Sequence, residues 1–435
     1  MKRTGWQNGL MCVGLLIGGL LCGGLLISTA EAQELKAKAG DWPWWRGPNF
    51  NGQAEAGQKL PVKWTNTQNV GWKVEIPGRG HASPTVVGDR IYLATADDKT
   101  QVQSVLCLDR ATGQQKWKET VSQGGFPRNI HPKNTHATGT VACDGQRLFA
   151  VFHNHDGVQV TALDLQGKQQ WQKVIGSFAP RQYQYGYAPS PTLYQNLVIV
   201  AADFDGGGYL CALDRQKGEV VWKQSRPARL SYSSPVVAHV SGRDQLLISG
   251  CDLVASYDPL KGTQLWSVPA TSMATCGTMV WNQDTVFASG GYPKPETVAI
   301  KGDGSGKVLW RNNQKCYEQS MLAFEGHIYV VTDAGVAYCW KAETGDELWK
   351  ARLRGPVSAS PILAGGNIYA SVEAGTTYVF RASPAKFELL AENQLGNEAF
   401  ATPSICNNQI FLRVADSVGG RRQEYLYCLQ LSGAE

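Results

Sequence analysis

The sequence lacks the short motifs that mark most catalytic, redox and nucleic-acid-binding sites. Its 435 residues contain no Gly-x-Ser-x-Gly, P-loop or His-Glu-x-x-His motif, which removes the commonest hydrolase, nucleotide-binding and metalloprotease signatures. Eleven cysteines are present, but no two are adjacent and none forms a Cys-x-x-Cys or Cys-x-x-Cys-His motif. Lysine and arginine never form a run of five, so the net charge of +5 indicates no nucleic-acid partner.

The first residues have the pattern of an export signal. Lys2 and Arg3 precede an apolar stretch at residues 10–27, and residues 30–32, Ala-Glu-Ala, fit a cleavage site. We predict a signal peptide over residues 1–32 and a periplasmic, envelope-associated or secreted protein. The alternative is a retained anchor, because the apolar stretch approaches the length that spans a membrane. Cleavage removes two of the eleven cysteines and leaves nine, which we interpret as buried strand residues rather than a disulfide framework.

One short unit recurs along the chain. Its clearest copy is VLCLDRATGQQKW at residues 105–117, in which a strand ends at Asp109, a turn closes on Gly113 and a second strand ends in Trp117. Asp109 can accept backbone N–H bonds from the turn, Gly113 can adopt a positive φ, and Trp117 supplies a large ring for burial. The copies predict seven structural tryptophans: Trp72, Trp117, Trp171, Trp222, Trp266, Trp310 and Trp349.

A second kind of hairpin precedes each unit. Eight such hairpins, each an apolar run broken at Gly, Asn or Asp, begin at residues 83, 138, 190, 234, 277, 321, 360 and 402. The eighth repeat, residues 402–430, lacks its final strand, whereas residues 70–76 form a final strand that lacks a repeat. We therefore predict an all-β fold, an eight-bladed β-propeller of four-stranded antiparallel blades closed by an N-terminal strand. Seven blades with an irregular insert at residues 381–395 is the alternative.

The predicted domains are a signal peptide (1–32), a leader with an aromatic-rich segment (33–63) and the propeller (64–435). The aromatic segment, DWPWWRGP at residues 41–48, has three tryptophans in four positions. Because these rings are apolar, we expect them to pack on the underside or outer edge of the propeller.

The repeated unit resembles the PQQ-type propeller repeat, and the resemblance extends from residue 64 to residue 430. That family includes quinone-dependent dehydrogenases, the outer-membrane assembly lipoprotein BamB and exported propellers of planctomycete type. Resemblance to the dehydrogenases implies a quinone held between a tryptophan and a disulfide of adjacent cysteines, with calcium bound by Glu, Asn and Asp. The sequence has no adjacent cysteines. No catalytic residue can be carried over, and we expect no metal site and no cofactor, with PQQ and calcium as the minor alternative.

The candidate binding residues lie in the loops that enter the innermost strands, since those loops converge on the axis of a propeller. We expect a polar mouth there that binds an anionic or polyhydroxylated ligand, or a peptide segment. The alternative is that each of these groups only satisfies nearby backbone or lines a wet channel. The predicted mouth residues are Arg79, His81, His131, Lys133, His136, Arg181, Tyr185, Tyr187, Tyr232, Glu318 and Arg354.

Two further loops have the composition of metal sites but not the spacing. His153, His155 and Asp156 are interpreted as a solvated turn, because no other ligand pair is near them in sequence. The acidic and glycine-rich residues 203–208 lack the spacing of an EF-hand and are predicted to be a hairpin tip.

These observations favour a non-catalytic, exported propeller that binds or holds envelope proteins, as a monomer that touches the membrane only through a retained signal. A PQQ-dependent oxidoreductase of alcohols or sugars and a carbohydrate-binding module remain the alternatives.

Overall fold

The computed structural model describes Leu35 and residues 37–433, and these residues form only strands, turns and loops. Their 32 strands make eight separate four-stranded sheets, and every strand pairing within a sheet is antiparallel. The predicted signal peptide, residues 1–32, lies outside the described residues. Within the described part of the chain, no helix has the length and apolar character needed to cross a membrane.

The first four blades follow one another along the chain, each running from an innermost to an outermost strand. Blade 1 contains β2 (Thr85–Val87), β3 (Arg90–Asp97), β4 (Val102–Asp109) and β5 (Gln115–Gln123). Blade 2 contains β6 (Ala142–Cys143), β7 (Arg147–Asn154), β8 (Gly157–Asp164) and β9 (Gln169–Ser177). Blade 3 contains β10 (Thr192–Tyr194), β11 (Leu197–Ala202), β12 (Tyr209–Asp214) and β13 (Val220–Ser225). Blade 4 contains β14 (Val236–Val240), β15 (Arg243–Gly250), β16 (Leu253–Tyr257) and β17 (Gln264–Pro269).

The next three blades repeat this order, and the eighth takes strands from both ends of the chain. Blade 5 contains β18 (Val280–Asn282), β19 (Thr285–Gly290), β20 (Glu296–Lys301) and β21 (Val308–Asn312). Blade 6 contains β22 (Leu322–Phe324), β23 (His327–Val331), β24 (Val336–Lys341) and β25 (Glu347–Arg352). Blade 7 contains β26 (Ile362–Ala364), β27 (Asn367–Ser371), β28 (Thr376–Arg381) and β29 (Leu389–Gln394). Blade 8 contains β30 (Ser404–Cys406), β31 (Gln409–Val418), β32 (Arg421–Leu429) and β1 (Val70–Ile76).

The closure predicted from the sequence is confirmed. β1 pairs antiparallel with β32, and the register places Trp72 opposite Cys428 and Ile76 opposite Glu424. The N-terminal strand thus becomes the outermost strand of the blade that the C-terminal residues build, which covers an edge that β32 would otherwise expose. Blade 7 is complete despite its unusual sequence, so the propeller has eight blades rather than seven.

The repeated turn has the chemistry that its sequence indicates. Asp109 Oδ1 accepts the backbone N–H groups of Ala111 and Thr112, each at 3.0 Å. Gly113 has φ 73°, in the left-handed region that favours glycine. A Cβ on Gly113 would also lie within 2.6 Å of the Trp72 ring, which belongs to the preceding blade. The glycine is therefore required both by the turn and by the packing between blades.

The repeat tryptophans join each blade to the next. Six of the seven donate their indole N–H to a backbone carbonyl of the following blade, at 2.8–3.1 Å. Each carbonyl lies in the third turn of that blade, the turn between its third and fourth strands. The donors are Trp72, Trp117, Trp171, Trp222, Trp310 and Trp349. Trp266 instead donates to Gln245 Oε1, at 2.7 Å within its own blade. In blade 7, which lacks the turn glycine, Phe387 packs against Trp349 with ring centroids 5.5 Å apart.

The hydrophobic cores lie between adjacent blades. Blades 1 and 2, for example, share a core that includes Tyr92, Cys107, Leu148 and Phe152, all at most 2% exposed. The nine described cysteines are all free and none is exposed. Six lie in strands as expected, whereas Cys251, Cys276 and Cys316 lie in turns or loops, and Cys276 is only partly buried. Interdigitated side chains between blades therefore hold the ring together.

The two faces of the ring differ. We call the face that carries the loops entering the innermost strands the upper face and the opposite one the lower face. The segment before β1 crosses the lower face. It is joined to blade 1 by a bridge between Trp42 and Val86 and to blade 7 by a bridge between Gln53 and Leu363. The backbone N–H of Trp64 then donates to Asn393 Oδ1 at 2.9 Å. This segment packs under the propeller, as its aromatic content led us to expect.

Candidate functional site

A ring of hydroxyl side chains surrounds the axis of the propeller. Each blade contributes one serine or threonine just before its innermost strand: Ser83, Thr140, Ser190, Ser234, Thr278, Ser320, Ser360 and Thr402. In six places the hydroxyl oxygen of one blade accepts the backbone N–H of the corresponding residue in the preceding blade, at 2.9–3.1 Å. These bonds satisfy backbone donors that have no strand partner and fix the spacing of the blades around the channel.

Trp45 closes the lower end of this channel. Its indole N–H donates to Thr278 Oγ1 at 2.8 Å, so the ring lies among the hydroxyl groups. The next residue, Arg46, is 1% exposed and its Nη2 donates to the carbonyl oxygens of Asn51 and Met321. Burial lowers the pKa of Arg46 to about 9. The N-terminal segment therefore gives the channel a floor and turns it into a cavity.

The cavity has a volume of about 300 Å³, within the size range of small-ligand sites. Its wall combines aromatic rings with polar groups, and most of them lie in the loops that enter the innermost strands or at one hairpin tip on the upper face. The aromatic residues that line it are Trp45, His81, His131, Tyr185, Tyr232, Tyr292, Tyr317 and Phe400. The polar residues include Lys133, Asn134, Glu318, Ser358 and five residues of the hydroxyl ring.

Tyrosines form a continuous arc along one side of the mouth. The ring of Tyr185 lies 5.7 Å from that of Tyr183 and 6.3 Å from that of Tyr232, measured between centroids. Tyr183 also makes an edge contact with Tyr292 at 5.3 Å, and their hydroxyl oxygens are 3.1 Å apart. The Tyr232 hydroxyl donates to the Tyr183 carbonyl at 3.1 Å. This network holds rings from three blades in fixed positions.

Charged groups from the loops of blades 2, 6 and 7 also meet at the mouth. Lys133 Nζ contacts both carboxylate oxygens of Glu373 at 2.8 Å, and Ser358 Oγ donates to Glu373 Oε1 at 2.7 Å. Glu318 lies beside this group on the cavity wall and is half-buried. Burial raises the pKa of the Glu318 carboxyl, and the nearby carboxylates of Glu373 and Asp333 add to that rise. Lys133 is therefore occupied by Glu373, whereas Glu318 has no ion-pair partner within the described residues.

The two histidines of the wall are held by aromatic neighbours. His81 stacks on Phe400 with centroids 4.6 Å apart, and its Nε2 is buried with no hydrogen-bond partner among the described residues. Burial lowers the pKa of His81 well below its usual value, and the nearby Arg79 adds to this effect. His131 meets the edge of Tyr185 at 5.1 Å, and its Nδ1 accepts the backbone N–H of Lys133 at 3.2 Å. At neutral pH, His81 is thus an uncharged wall residue.

Six of the eleven predicted mouth residues line this cavity: His81, His131, Lys133, Tyr185, Tyr232 and Glu318. The structure brings them together from loops of blades 1, 2, 3, 4 and 6, which lie far apart in sequence.

The other five predicted mouth residues lie outside the cavity wall. Arg79 donates to the Pro132 carbonyl at 3.1 Å, and His136 stacks on Phe126 at 4.1 Å. Tyr187 is buried in the core and donates to the Ala201 carbonyl at 2.8 Å. Arg181 and Arg354 have exposed side chains farther out on the upper face.

Sequence reasoning did not find several residues of the wall. Trp45 was expected to pack under the propeller, and no local pattern indicated that its ring reaches the axis. Tyr292 lies at the tip of the hairpin between β19 and β20, not in a loop that enters an innermost strand. The hydroxyl ring did leave a signal, since Ser-Pro or Thr-Pro recurs at residues 83, 190, 234, 360 and 402.

The two metal-like loops have structural roles. His153 is buried near the end of β7 and stands at the edge of Phe178, so it is not part of a solvated turn as we expected; His155 and Asp156 do form an exposed hairpin tip. Asp203 makes a buried ion pair with Arg226 Nε at 2.7 Å. Among the described residues, no group of three or more His, Cys, Asp or Glu side chains is arranged to hold a metal ion.

The cavity fits a quinone cofactor only in part. Trp45 supplies a flat aromatic floor, which a planar ligand could stack on. Cys276 is the single cysteine on the wall and has no second sulfur beside it, so a disulfide cannot form the other side of a sandwich. The negative charges of PQQ would meet Glu318 and a lysine already paired with Glu373. The residues present therefore do not fit PQQ with calcium, and we derive no chemistry from it.

Several known proteins are similar to this chain in sequence or in fold. The chain is 25% identical over 352 residues to the outer membrane protein assembly factor BamB of Burkholderia pseudomallei, which covers 70% of this chain and 85% of that protein. BamB from Moraxella catarrhalis has a similar fold, with a TM-score of 0.59 and 14% identity over 84% of this chain and 98% of that one. A europium-containing methanol dehydrogenase also shares the fold, with a TM-score of 0.65 and 12% identity over 91% of this chain and 99% of that one.

A family model described as outer membrane protein assembly factor BamB matches residues 55–185, 103–301 and 294–385, well over half of the chain. The repeat chemistry, the closed ring of eight blades and this match agree. The chain belongs to the family of PQQ-like repeat β-propellers that this model describes.

Proposed function

We propose that this protein is an exported, non-catalytic binding or scaffold protein of the cell envelope, similar in role to BamB. The observation that carries the proposal is the similarity to the Burkholderia pseudomallei protein, which is named as an outer membrane protein assembly factor. The similarity extends over 85% of that protein and is therefore not confined to a single repeat. Under this proposal the protein acts as a monomer in the periplasm, and its partners are other envelope proteins.

The upper face is the surface that favours such contacts. The lower face is partly covered by the segment before β1, which bridges blades 1 and 7. The upper face instead presents long loops with exposed side chains, among them Arg128, Arg181, Arg229 and Tyr292. Arginine and tyrosine are enriched where proteins contact one another, because both combine apolar surface with hydrogen-bonding groups.

Cross-linking in the native envelope tests this proposal. The tagged full-length protein is cross-linked in intact cells, and the cross-linked residues are mapped by mass spectrometry. A double variant, Arg181→Glu with Arg229→Glu, reverses two exposed charges on the upper face. The matched control, Arg381→Glu with Lys386→Glu, reverses two exposed charges at the lower edge of blade 7.

We expect cross-links to envelope proteins from loops 178–191 and 226–235, lost in the upper-face variant and kept in the control. Cross-links that map to other surfaces, or that are equal in both variants, would contradict the proposal. We also propose that the protein works without a resident quinone, because the cavity wall does not supply the groups that hold one.

A further inference from the structure

The cavity wall contains an acidic group that the protein does not neutralise. Glu318 is half-buried and lines the cavity, and no lysine, arginine or histidine lies within ion-pair distance of it among the described residues. The nearest cationic side chain, Lys133, is held by both oxygens of Glu373 at 2.8 Å. A partly buried carboxylate without a partner is unfavourable, because it loses hydration without gaining a compensating charge. The wall therefore carries an excess negative charge.

Aromatic rings enclose the same space. Tyr185, Tyr232, Tyr292, Tyr317 and Phe400 come from five different blades, and Trp45 forms the floor. Aromatic rings attract cations through the negative potential of their π faces, and several rings around one carboxylate are the usual surroundings of a bound ammonium group. The contacts among Tyr183, Tyr185 and Tyr232 keep two of these rings in place without a ligand.

We propose that the central cavity binds a small organic cation, of the quaternary or methylated ammonium class, with its charge beside Glu318 and its methyl groups against the aromatic wall. This inference rests on the proposed function in one respect, that the protein is a binding protein. It adds the chemical class of a ligand. An anion would face Glu318 and a single lysine that is already paired with Glu373. A neutral sugar could stack on the tyrosines but would leave Glu318 uncompensated.

The test uses choline and its neutral isostere, 3,3-dimethyl-1-butanol, which has the same shape with carbon in place of the charged nitrogen. Each is titrated into the purified full-length protein by isothermal titration calorimetry. We expect saturable choline binding and at least tenfold weaker binding of the isostere. Equal affinity for choline and the isostere would overturn the proposal. So would the absence of saturable choline binding when choline is raised to millimolar concentrations, 100-fold above the protein.

Three variants identify the groups responsible. Glu318→Gln keeps the shape of the side chain and removes its charge. It should lower the affinity for choline at least tenfold and leave the affinity for the isostere unchanged. Tyr292→Leu removes a partly exposed ring at a hairpin tip, and it should weaken choline binding three- to tenfold. The control, Glu343→Gln, removes an exposed carboxylate on the lower face and should change nothing.

Choline affinity that is unchanged in both Glu318→Gln and Tyr292→Leu would place the ligand elsewhere and overturn the assignment. Citrate serves as the anionic probe, and binding of citrate that strengthens in Glu318→Gln would show an anion site instead. None of these outcomes affects the cross-linking experiment, which measures protein contacts on the upper face. A failed ligand assignment can therefore be told apart from a failed scaffold role.

Discussion

The Trp72 indole lies within 2.6 Å of the point where a β-carbon on Gly113 would be placed. Trp72 is the third residue of the outermost strand of blade 8, as Trp117 is of β5, so these tryptophans lie near the start of their strands and not at the end as the repeat predicted. The glycine closes the turn between the third and fourth strands of blade 1. The same pairing joins Trp117 to Gly167, Trp171 to Gly218 and Trp222 to Gly262. The tryptophan and the glycine of the repeat therefore pack against each other across the boundary between neighbouring blades.

This contact predicts the cost of adding a single methyl group. Gly113→Ala places a Cβ against the Trp72 ring and also forces alanine to adopt φ 73°. We expect a loss of roughly 2–4 kcal/mol in the free energy of unfolding, from overpacking and left-handed strain together. The matched control is Gly88→Ala, where φ is 58° and no atom lies within 4 Å of the added methyl group.

Gly88→Ala should cost only about 1 kcal/mol, the strain alone. Urea unfolding of the two variants measures the difference. Equal losses in both would mean that packing against Trp72 contributes nothing.

The hydroxyl ring offers a second matched pair. Ser360 Oγ accepts the backbone N–H of Ser320 at 2.9 Å, whereas Ser83 Oγ is buried and has no partner among the described residues. Ser360→Ala leaves a buried N–H without an acceptor and should destabilise the protein by about 1–3 kcal/mol. Ser83→Ala removes a group that satisfies nothing and should be close to neutral. A comparison of unfolding midpoints checks this, and a reversed order would show that these hydroxyl bonds do not hold the blades.

Buried histidine predicts a loss of stability in mild acid. Burial lowers the pKa of His153 to about 4, from 6.5 in the unfolded chain. As the pH falls from 6.5 to 4, the unfolded state takes up a proton that the folded state refuses, so stability decreases through this window and levels off below it. His153 accounts for about 3 kcal/mol of that decrease, and His153→Phe should remove its share.

The control for this effect is His155→Asn at the neighbouring exposed hairpin tip, where asparagine tolerates the positive φ of 45°. Unfolding free energies at pH 7 and pH 4 are compared for the three proteins. An unchanged pH dependence in His153→Phe would mean that this histidine is not buried in its neutral form.

Ligand binding in the cavity should depend on pH through Glu318. The pKa of this carboxyl is raised, and Glu373, Asp333 and Lys133 are the other charged groups near it. A proton on Glu318 removes the charge that attracts an organic cation, so choline affinity should fall as the pH is lowered through the raised pKa. In Glu318→Gln the affinity should be low at every pH. A choline affinity that rises in acid would contradict this role for Glu318.

The quinone can be tested directly. PQQ with calcium is titrated into the full-length protein while the melting temperature is followed. A ligand present at 100 times its Kd stabilises a protein by about 2.7 kcal/mol, which gives a visible shift. We expect no saturable shift, because the cavity has one unpaired cysteine and no cluster of metal ligands among the described residues. A saturable shift would support the alternative function, a PQQ-dependent oxidoreductase.

The repeat was enough to predict the ring but not the cavity. Each Asp, Gly and Trp of the repeat acts on residues close in sequence or one repeat away, so periodicity reveals it. The ion pair of Lys133 with Glu373 joins residues 240 positions apart, and no local pattern indicates such a contact. Trp45 was recognised as a residue to be buried, but its place on the axis depends on how the whole segment crosses the lower face. Tyr187 is of a residue type that suits the mouth, but its side chain is buried in the core instead of lining the cavity.

Pairing of β1 with β32 also sets the order in which the protein can be completed. Residues 70–76 are synthesised long before residues 421–429, which are their strand partners. The segment before them also cannot form its contacts until blade 7 is synthesised, because Gln53 and Trp64 bind to residues of that blade. Joining residues this far apart in sequence is slow, because loop closure costs entropy before any contact rewards it. We therefore expect the closed ring and the floor of the cavity to be completed late in folding, once residues 421–429 are available.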